Sequence, residues 1–474
     1  MYQANIIRDC ARKTAVIALS FGFLAGAGAQ SNYFQLHSFD PPTSAGTQPI
    51  GQLIEGNDGN LYGTTQGGGT SNKGAVFKLA KDGSSYGVVF SLTNAAFPAG
   101  GVVEGGDGAL YGTTTGGGSN TVGAVFRVTK DGGTFGVLHD FLTNGVDGKS
   151  PAAGLLMGQD GLLYGTTLAG GTSNRGTIFK INSDGTGYTT LYSFTGSSNG
   201  DGDSPVAAVS QGVDGLLYGT TRAGGSNNLG TVFKLNTNGG AFAVLHHFRG
   251  GINGDGSQPL GNVVQGSDGL LYGTTSFGNT VSNRGTLFRL STNGNYFVIL
   301  HSFPTNDPGG NQPSAGLLES GKGVFYGTAQ SSDLAHDNSG TIFKINANGS
   351  GFVVLHNFTS TPDGDQPQST LLQGSDGALY GTAFLGGNAG LGTAFRVLPM
   401  AVIDSINPTS GAMQLNFSSA VAGQIYQIQA TTNLLLPGSW QLMGTRTGAV
   451  NGTFQFLDST AGSLPQRFYR AAIP

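Results

Sequence analysis

The stretch Asp214-Gly215-Leu216-Leu217-Tyr218-Gly219-Thr220-Thr221 decides how this chain folds. Asp-Gly favours a tight hairpin turn. The residues after it are apolar, aromatic and β-branched, the types that suit a pleated surface. The octet therefore reads as a turn feeding a strand, and it recurs. Its Tyr returns as Tyr62, Tyr111, Tyr164, Tyr218, Tyr272, Tyr326 and Tyr380, at spacings of 49, 53, 54, 54, 54 and 54 residues.

Seven copies at this period fit a β-propeller, whose blades usually take ~40–50 residues. Each copy reads as four short strands. In residues 205–248, strand a follows Pro205 and ends near Gln211, and strand b is Leu216 to Thr221. A Gly/Asn loop leads to strand c, Gly230 to Leu235, and the Asn238-Gly239-Gly240 turn to strand d, Phe242 to Phe248. The ends of the array are complementary. Tyr33-Phe34-Gln35-Leu36-His37-Ser38-Phe39 matches the d strand Phe352-Val353-Val354-Leu355-His356-Asn357-Phe358, while the seventh copy stops after its c strand at Val397. The expected fold is all-β: a seven-bladed propeller over residues 30–398, closed by its N-terminal strand, since closure removes an exposed sheet edge. Residues 399–474 lose the repeat but keep alternating runs, which predicts a small β-sandwich with Trp440 in its core.

Composition agrees. Of 474 residues, 84 are Gly and 17 Pro, and only 10% are charged. Such a chain does not build long helices, and its net charge of −4 excludes steering towards nucleic acid. Residues 1–29 read as a secretory signal, with Arg8, Arg12 and Lys13 ahead of an apolar run and Ala27-Gly28-Ala29 as the cleavage site. The single cysteine, Cys10, falls inside it, so the mature chain has no disulfide and no Cys-based metal site. A secreted monomer with no transmembrane segment after signal removal is expected.

The Y-G-T-T, G-G, G-T-x-F-K and L-H-x-F blocks together resemble the GloVer tandem-repeat proteins, also called choice-of-anchor proteins, over Tyr33 to Val397. That resemblance implies a secreted or surface-attached propeller-like protein. The tail, with Trp440 and Arg467-Phe468-Tyr469-Arg470, looks like a verrucomicrobial-type C-terminal module, and no hydrophobic helix with a basic cluster ends it. More loosely, D-G-x-L-Y-G-T is similar to the repeat of periplasmic two-component-regulator propellers.

In a meander the a–b and c–d turns share one face and are short. The b–c loops and d–a connections share the other and are long, and long loops tend to carry function. The sixth b–c loop departs most from the repeat. Its Asp333, His336 and Asp337, with Asp363 and Asp365 in the next connection of that blade and face, form the expected ligand site. Asn199, Asp201 and Asp203 alternate oxygen ligands as calcium loops do, without the bidentate Glu, and the same residues are ordinary turn formers. No cofactor is required by this reading; calcium is the one ion the pattern admits.

Three repeated sets invite functional readings. A cation follows the strand c Phe in every copy (Lys78, Arg127, Lys180, Lys234, Arg289, Lys344, Arg396) and is expected to pair between blades. His37, His139, His246, His301 and His356 share one position with Phe90 and Tyr192, which points to ring packing and not to a metal. Glu55, Glu104, Met157, Gln211, Gln265, Glu319 and Gln373 end strand a and are expected around a polar channel mouth. No G-x-S-x-G, H-E-x-x-H or P-loop is present. The sequence thus favours a non-catalytic module binding an extracellular glycan or protein. The alternative is a polysaccharide-degrading lyase or hydrolase.

Overall fold

The computed structural model describes residues 5–7, 15–18, 33–41, 43–250, 254–278, 283–304, 310–321, 323–331, 339–399, 402–409, 412–418, 424–432, 440–449, 453–461 and 466–472. It forms two compact units: residues 35–372 with 380–395, and residues 1–34, 373–379 and 396–474.

The repeats form seven four-stranded antiparallel sheets among the described residues. The fourth is representative. Its strands are Ser210–Gln211, Leu217–Thr221, Thr231–Leu235 and Ala243–His247, hydrogen-bonded in chain order. Strand b pairs with c so that Tyr218 faces Lys234 and Gly219 faces Phe233. Between c and d the register slips at Val232/Phe233, and the same slip recurs at 76/77, 125/126, 178/179, 287/288 and 342/343. A bulge at a fixed place increases the local twist of each sheet. The seventh repeat contributes the strands Leu372–Gln373, Leu379–Ala383 and Thr393–Val397.

The recurring octet explains itself residue by residue. Asp214 Oδ1 accepts the Leu216 N–H at 3.1 Å and so holds the turn, while its Oδ2 accepts the Tyr218 hydroxyl at 2.7 Å. Tyr62, Tyr111, Tyr164 and Tyr272 bond their own turn aspartates in the same way, at 2.6–2.9 Å. A buried phenol needs such a partner. The Gly after Tyr makes room for the strand c Phe: a Cβ on Gly273 would lie 2.6 Å from Phe288 Cζ. The Thr that follows reaches the next repeat. Thr64, Thr113, Thr166, Thr220, Thr274 and Thr328 donate to carbonyls of Gly100, Ala153, Ala207, Gly261, Ala315 and Ser369, at 2.6–3.3 Å.

Neighbouring repeats share their cores: Tyr218, Val232 and Phe248 pack with Val263, Leu271 and Phe288. They also share backbone bonds. The residue before each repeat's proline holds a positive φ of 51–60° (Gln48, Phe97, Ser150, Ser204, Gln258, Gln312, Gln366). That region is unfavourable for any L residue and more so ahead of proline. It is held here by a bond to the previous repeat, such as Ser204 N–H to Arg175 O at 2.9 Å and Gln258 N–H to Leu229 O at 2.8 Å.

In the second unit, Val402–Thr409, Ala412–Ser418 and Phe454–Asp458 form one sheet. A second sheet holds Ile425–Thr431, Gln441–Thr447 and Gln466–Ala472, the last strand pairing in parallel with Ala15–Ala18. Leu415, Phe417 and Phe454 of one sheet bury against Tyr426, Ile428 and Tyr469 of the other. Trp440 does not sit in that cluster, contrary to expectation. It is half-buried just before Gln441–Thr447, and Phe and Tyr rings fill the core instead. Beneath them Asp458 accepts the Tyr469 hydroxyl at 2.7 Å and pairs with Arg467 at 3.0 Å.

Candidate functional site

The repeated polar residues are mostly engaged with one another, within a repeat or between neighbouring repeats. The residues ending strand a are not an open ring of carboxylates. Glu104 accepts Asn57 N–H at 3.0 Å, Gln211 accepts Gln159 N–H at 2.9 Å, Gln265 accepts Val213 N–H at 2.9 Å, and Glu319 accepts Ser267 N–H at 2.8 Å. In each case the donor is the preceding repeat's a–b turn. Glu55 and Glu104 also pair with Lys81 and Lys130, at 2.7 and 2.6 Å. A channel mouth needs only polarity; these side chains are staples, a role that spacing alone does not reveal.

Six of the seven strand c cations divide into two groups, with Lys344 in neither. Lys78, Arg127 and Arg396 pair with the turn aspartates Asp58, Asp107 and Asp376 of their own repeats. Lys180, Lys234 and Arg289 instead donate to Thr237 O, Thr292 O and Ala347 O of the next repeat's c–d turn, at 3.0–3.4 Å. Burial alone would raise the Asp58 carboxyl. The bonds from Lys78, Tyr62 and Asn60 outweigh it and hold the group well below the usual carboxylate range. Burial and the bond to Asp58 push the Tyr62 phenol up to about 12.

The strand d rings stack across repeats. His139 lies 3.6 Å from the Tyr188 ring, and His37, His246 and His301 lie 3.8 Å from Tyr86, Phe297 and Phe352. Phe90 on Phe135 and Tyr192 on Phe242 do the same. The rings pack as expected, and several polar ring tips have a second partner that spacing does not reveal. A d–a aspartate reaches the polar tip of the ring: His139–Asp147 at 3.0 Å, His246–Asp255 at 3.3 Å, His356–Asp363 at 2.8 Å and Tyr192–Asp201 at 2.9 Å. Where the ring is Phe90, the following Leu92-Thr93-Asn94-Ala95-Ala96 contains no acid. That covariation within one chain was the available signal.

The acidic d–a connections are therefore largely internal. Asp201 accepts Tyr192, Thr195 and Gly196 donors, and Asp203 pairs with Arg175 and accepts from Ser204 Oγ. Asn199 closes a short 3-10 turn over Ser197–Asn199. Carboxylates so supplied with donors need no cation to be satisfied. Asp363, assigned to a ligand from sequence, bonds His356 and Thr359 N–H, while Asp365 forms a backbone bridge with Leu385. Asp333, His336 and Asp337 lie outside the described residues. Among the described residues no three His, Cys, Asp or Glu side chains gather as a metal would require.

The starts of the a strands surround a cavity of about 300 Å³. Gln52, Gly101, Gly154, Ala207, Asn262 and Thr370 are among its lining, which comes from all seven repeats and includes no charged residue. This neutral wall offers hydrogen bonds without an acid or a base.

These features define a β-propeller-like repeat protein. The chain belongs to the family described as the Gloeobacter/Verrucomicrobia repeat, which matches residues 22–164, 98–336 and 281–466. No curated sequence matches it significantly. Among solved structures, oligogalacturonate lyase from Vibrio parahaemolyticus is similar, with a TM-score of 0.52 and 10% identity, covering 84% of this chain and 99% of that one. An oligogalacturonate lyase in complex with manganese gives 0.50 and 10%, covering 84% and 98%. The extracellular domain of a putative hybrid two-component system from B. thetaiotaomicron gives 0.48 and 12%, covering 86% of this chain and 53% of that one. At such identities the likeness is one of fold. Among the described residues no helix is long and apolar enough to cross a membrane.

Proposed function

We propose that this chain is a secreted, non-catalytic binding propeller that recognises an extracellular glycan or protein through its long-loop face. In this reading residues 1–29 are the signal, residues 30–398 a propeller of seven blades, and residues 399–474 a separate β-sandwich module. The supporting observation is the allocation of polar groups. The repeated Asp, Tyr, Thr, Glu and Gln side chains are engaged within or between repeats, and the axial cavity has no charged wall. Hydrolysis or elimination at a sugar needs a positioned acid and base. Recognition needs only loops that differ, and the sixth b–c loop, with Asp333, His336 and Asp337, differs most.

Closure of the ring by the N-terminal strand is part of the same proposal. Bonds that couple successive repeats recur between the last and the first. Gln48 N–H donates to Leu391 O at 2.7 Å, as Gln258 N–H does to Leu229 O. Phe39 N–H donates to Gly392 O at 2.9 Å, as Phe248 N–H does to Gly230 O. The prolines after the strained residues nest against a left-handed Gly of the previous repeat: Pro259 against Gly230, and Pro49 against Gly392.

A glycan array combined with a polysaccharide-degradation screen on residues 30–474 tests the function. Binding without product release is the expected result. New reducing ends or unsaturated products would replace this reading with an enzyme.

A further inference from the structure

Strand c of the sixth repeat, Thr341–Asn346, breaks a rule that the other six keep. Elsewhere the cation after the Phe has an acceptor, either the turn Asp of its own repeat or a c–d turn carbonyl of the next. Lys344 has neither. The sequence explains both losses. The sixth a–b turn carries Lys322 where the other repeats carry Asp. The seventh repeat has no c–d turn after Val397, because the chain leaves its repeat pattern there. Among the described residues Lys344 makes no hydrogen bond or ion pair, and burial is the one influence on its charge.

Its environment is also drier. The corresponding cations are part-exposed, whereas Lys344 keeps 7% of its surface open to solvent. Tyr326 faces it across strand b and Val353 across strand d, and neither carries charge at neutral pH. An ammonium held there has lost most of its water, and no described residue supplies a counter-ion, which favours the neutral amine. Burial accordingly moves its pKa down. The free lone pair is the nucleophilic form.

We infer that Lys344 is a nucleophilic amine site that condenses with small aldehydes in preference to the other lysines. The Nζ lone pair attacks the carbonyl carbon and an N–H proton passes to the oxygen, giving a carbinolamine. Loss of that hydroxyl with the remaining N–H proton as water leaves a C=N bond to Nζ. No oxidant or reductant enters this condensation.

The test is brief treatment of residues 30–474 at pH 7 with formaldehyde and cyanoborohydride, whose hydride reduces the C=N bond, followed by peptide mass spectrometry. Lys344 should be methylated several-fold faster than Lys149, because the neutral amine is the reacting form. Reaction at or below the Lys149 rate, or none at all, overturns the inference. Lys344→Met supplies a second reading. It should melt at or above wild type, because an unpartnered buried amine is removed, whereas Lys234→Met should melt lower. A fall in Lys344→Met as large as that in Lys234→Met would mean that the amine is an engaged ion, which also overturns it.

Discussion

The short-turn side of the repeats and the long-loop side are built from similar residues put to different ends. On the short-turn side, Asp214, Tyr218 and Gln265 recur, with Lys322 and Met157 as exceptions, because each closes a bond within or between repeats. On the long-loop side the connections vary: one holds Asp147 against His139, another holds Asp201 against Tyr192, and a third has no acid beside Phe90. The difference teaches that repetition here marks a folding requirement, and departure from repetition marks where specificity can reside. A ring of identical blades cannot distinguish positions around its axis.

The largest effect is expected from the N-terminal strand that is proposed to close the ring. Deleting residues 30–39 removes the strand Tyr33–Ser38 and the bond from Phe39 to Gly392. The exposed edge should promote aggregation, checked by light scattering and thermal melting. A monomer with an unchanged Tm would break the closure half of the account. Next comes Gly273→Ala. Its Cβ would meet Phe288, and forcing a methyl into a packed core costs about 1–3 kcal/mol. Denaturant unfolding should show a lowered midpoint at an unchanged slope.

The d-strand rings allow a finer test. His139→Phe copies repeat one but leaves Asp147 with one partner fewer, at a cost of about 1 kcal/mol. Adding Asp147→Asn should recover part of that loss, since the two residues act as a unit. Additive losses would mean that ring and acid are independent. pH supplies a related check. Burial would raise the Asp147 carboxyl, but bonds from His139, Tyr188 and Leu142 N–H lower it overall. A depressed carboxylate stabilises the fold above its unfolded pKa and loses that contribution as pH falls through the folded value. Melting temperature should therefore hold from neutrality to about pH 4 and fall below it, and Asp147→Asn should flatten that fall.

Much of the fold was legible because its signals are local and repeated. Asp-Gly turns, the Tyr ruler and the unmatched Tyr33–Phe39 strand all lie in the linear sequence. What was not legible depends on neighbours. Glu104 and Gln211 read as a channel mouth, since nothing in their spacing announces an N–H from the preceding repeat's turn. Asp363 read as a ligand because its partner, His356, was assigned to packing alone. Trp440 read as core from its lone position between strands, yet Tyr426, Tyr469 and Phe454 took that volume.

The central claim is that binding belongs to the long loops and stability to the repeated side chains. It is tested most directly by assaying one variant from each side for both properties on residues 30–474. Asp333, His336 and Asp337, all replaced by Ala, should abolish ligand capture on the glycan array with Tm nearly unchanged, within the roughly 0.5 kcal/mol typical of surface substitutions. Tyr218→Phe should lower stability by about 1 kcal/mol and leave capture intact. The opposite pattern, with capture lost in Tyr218→Phe and retained in the loop variant, would contradict the account.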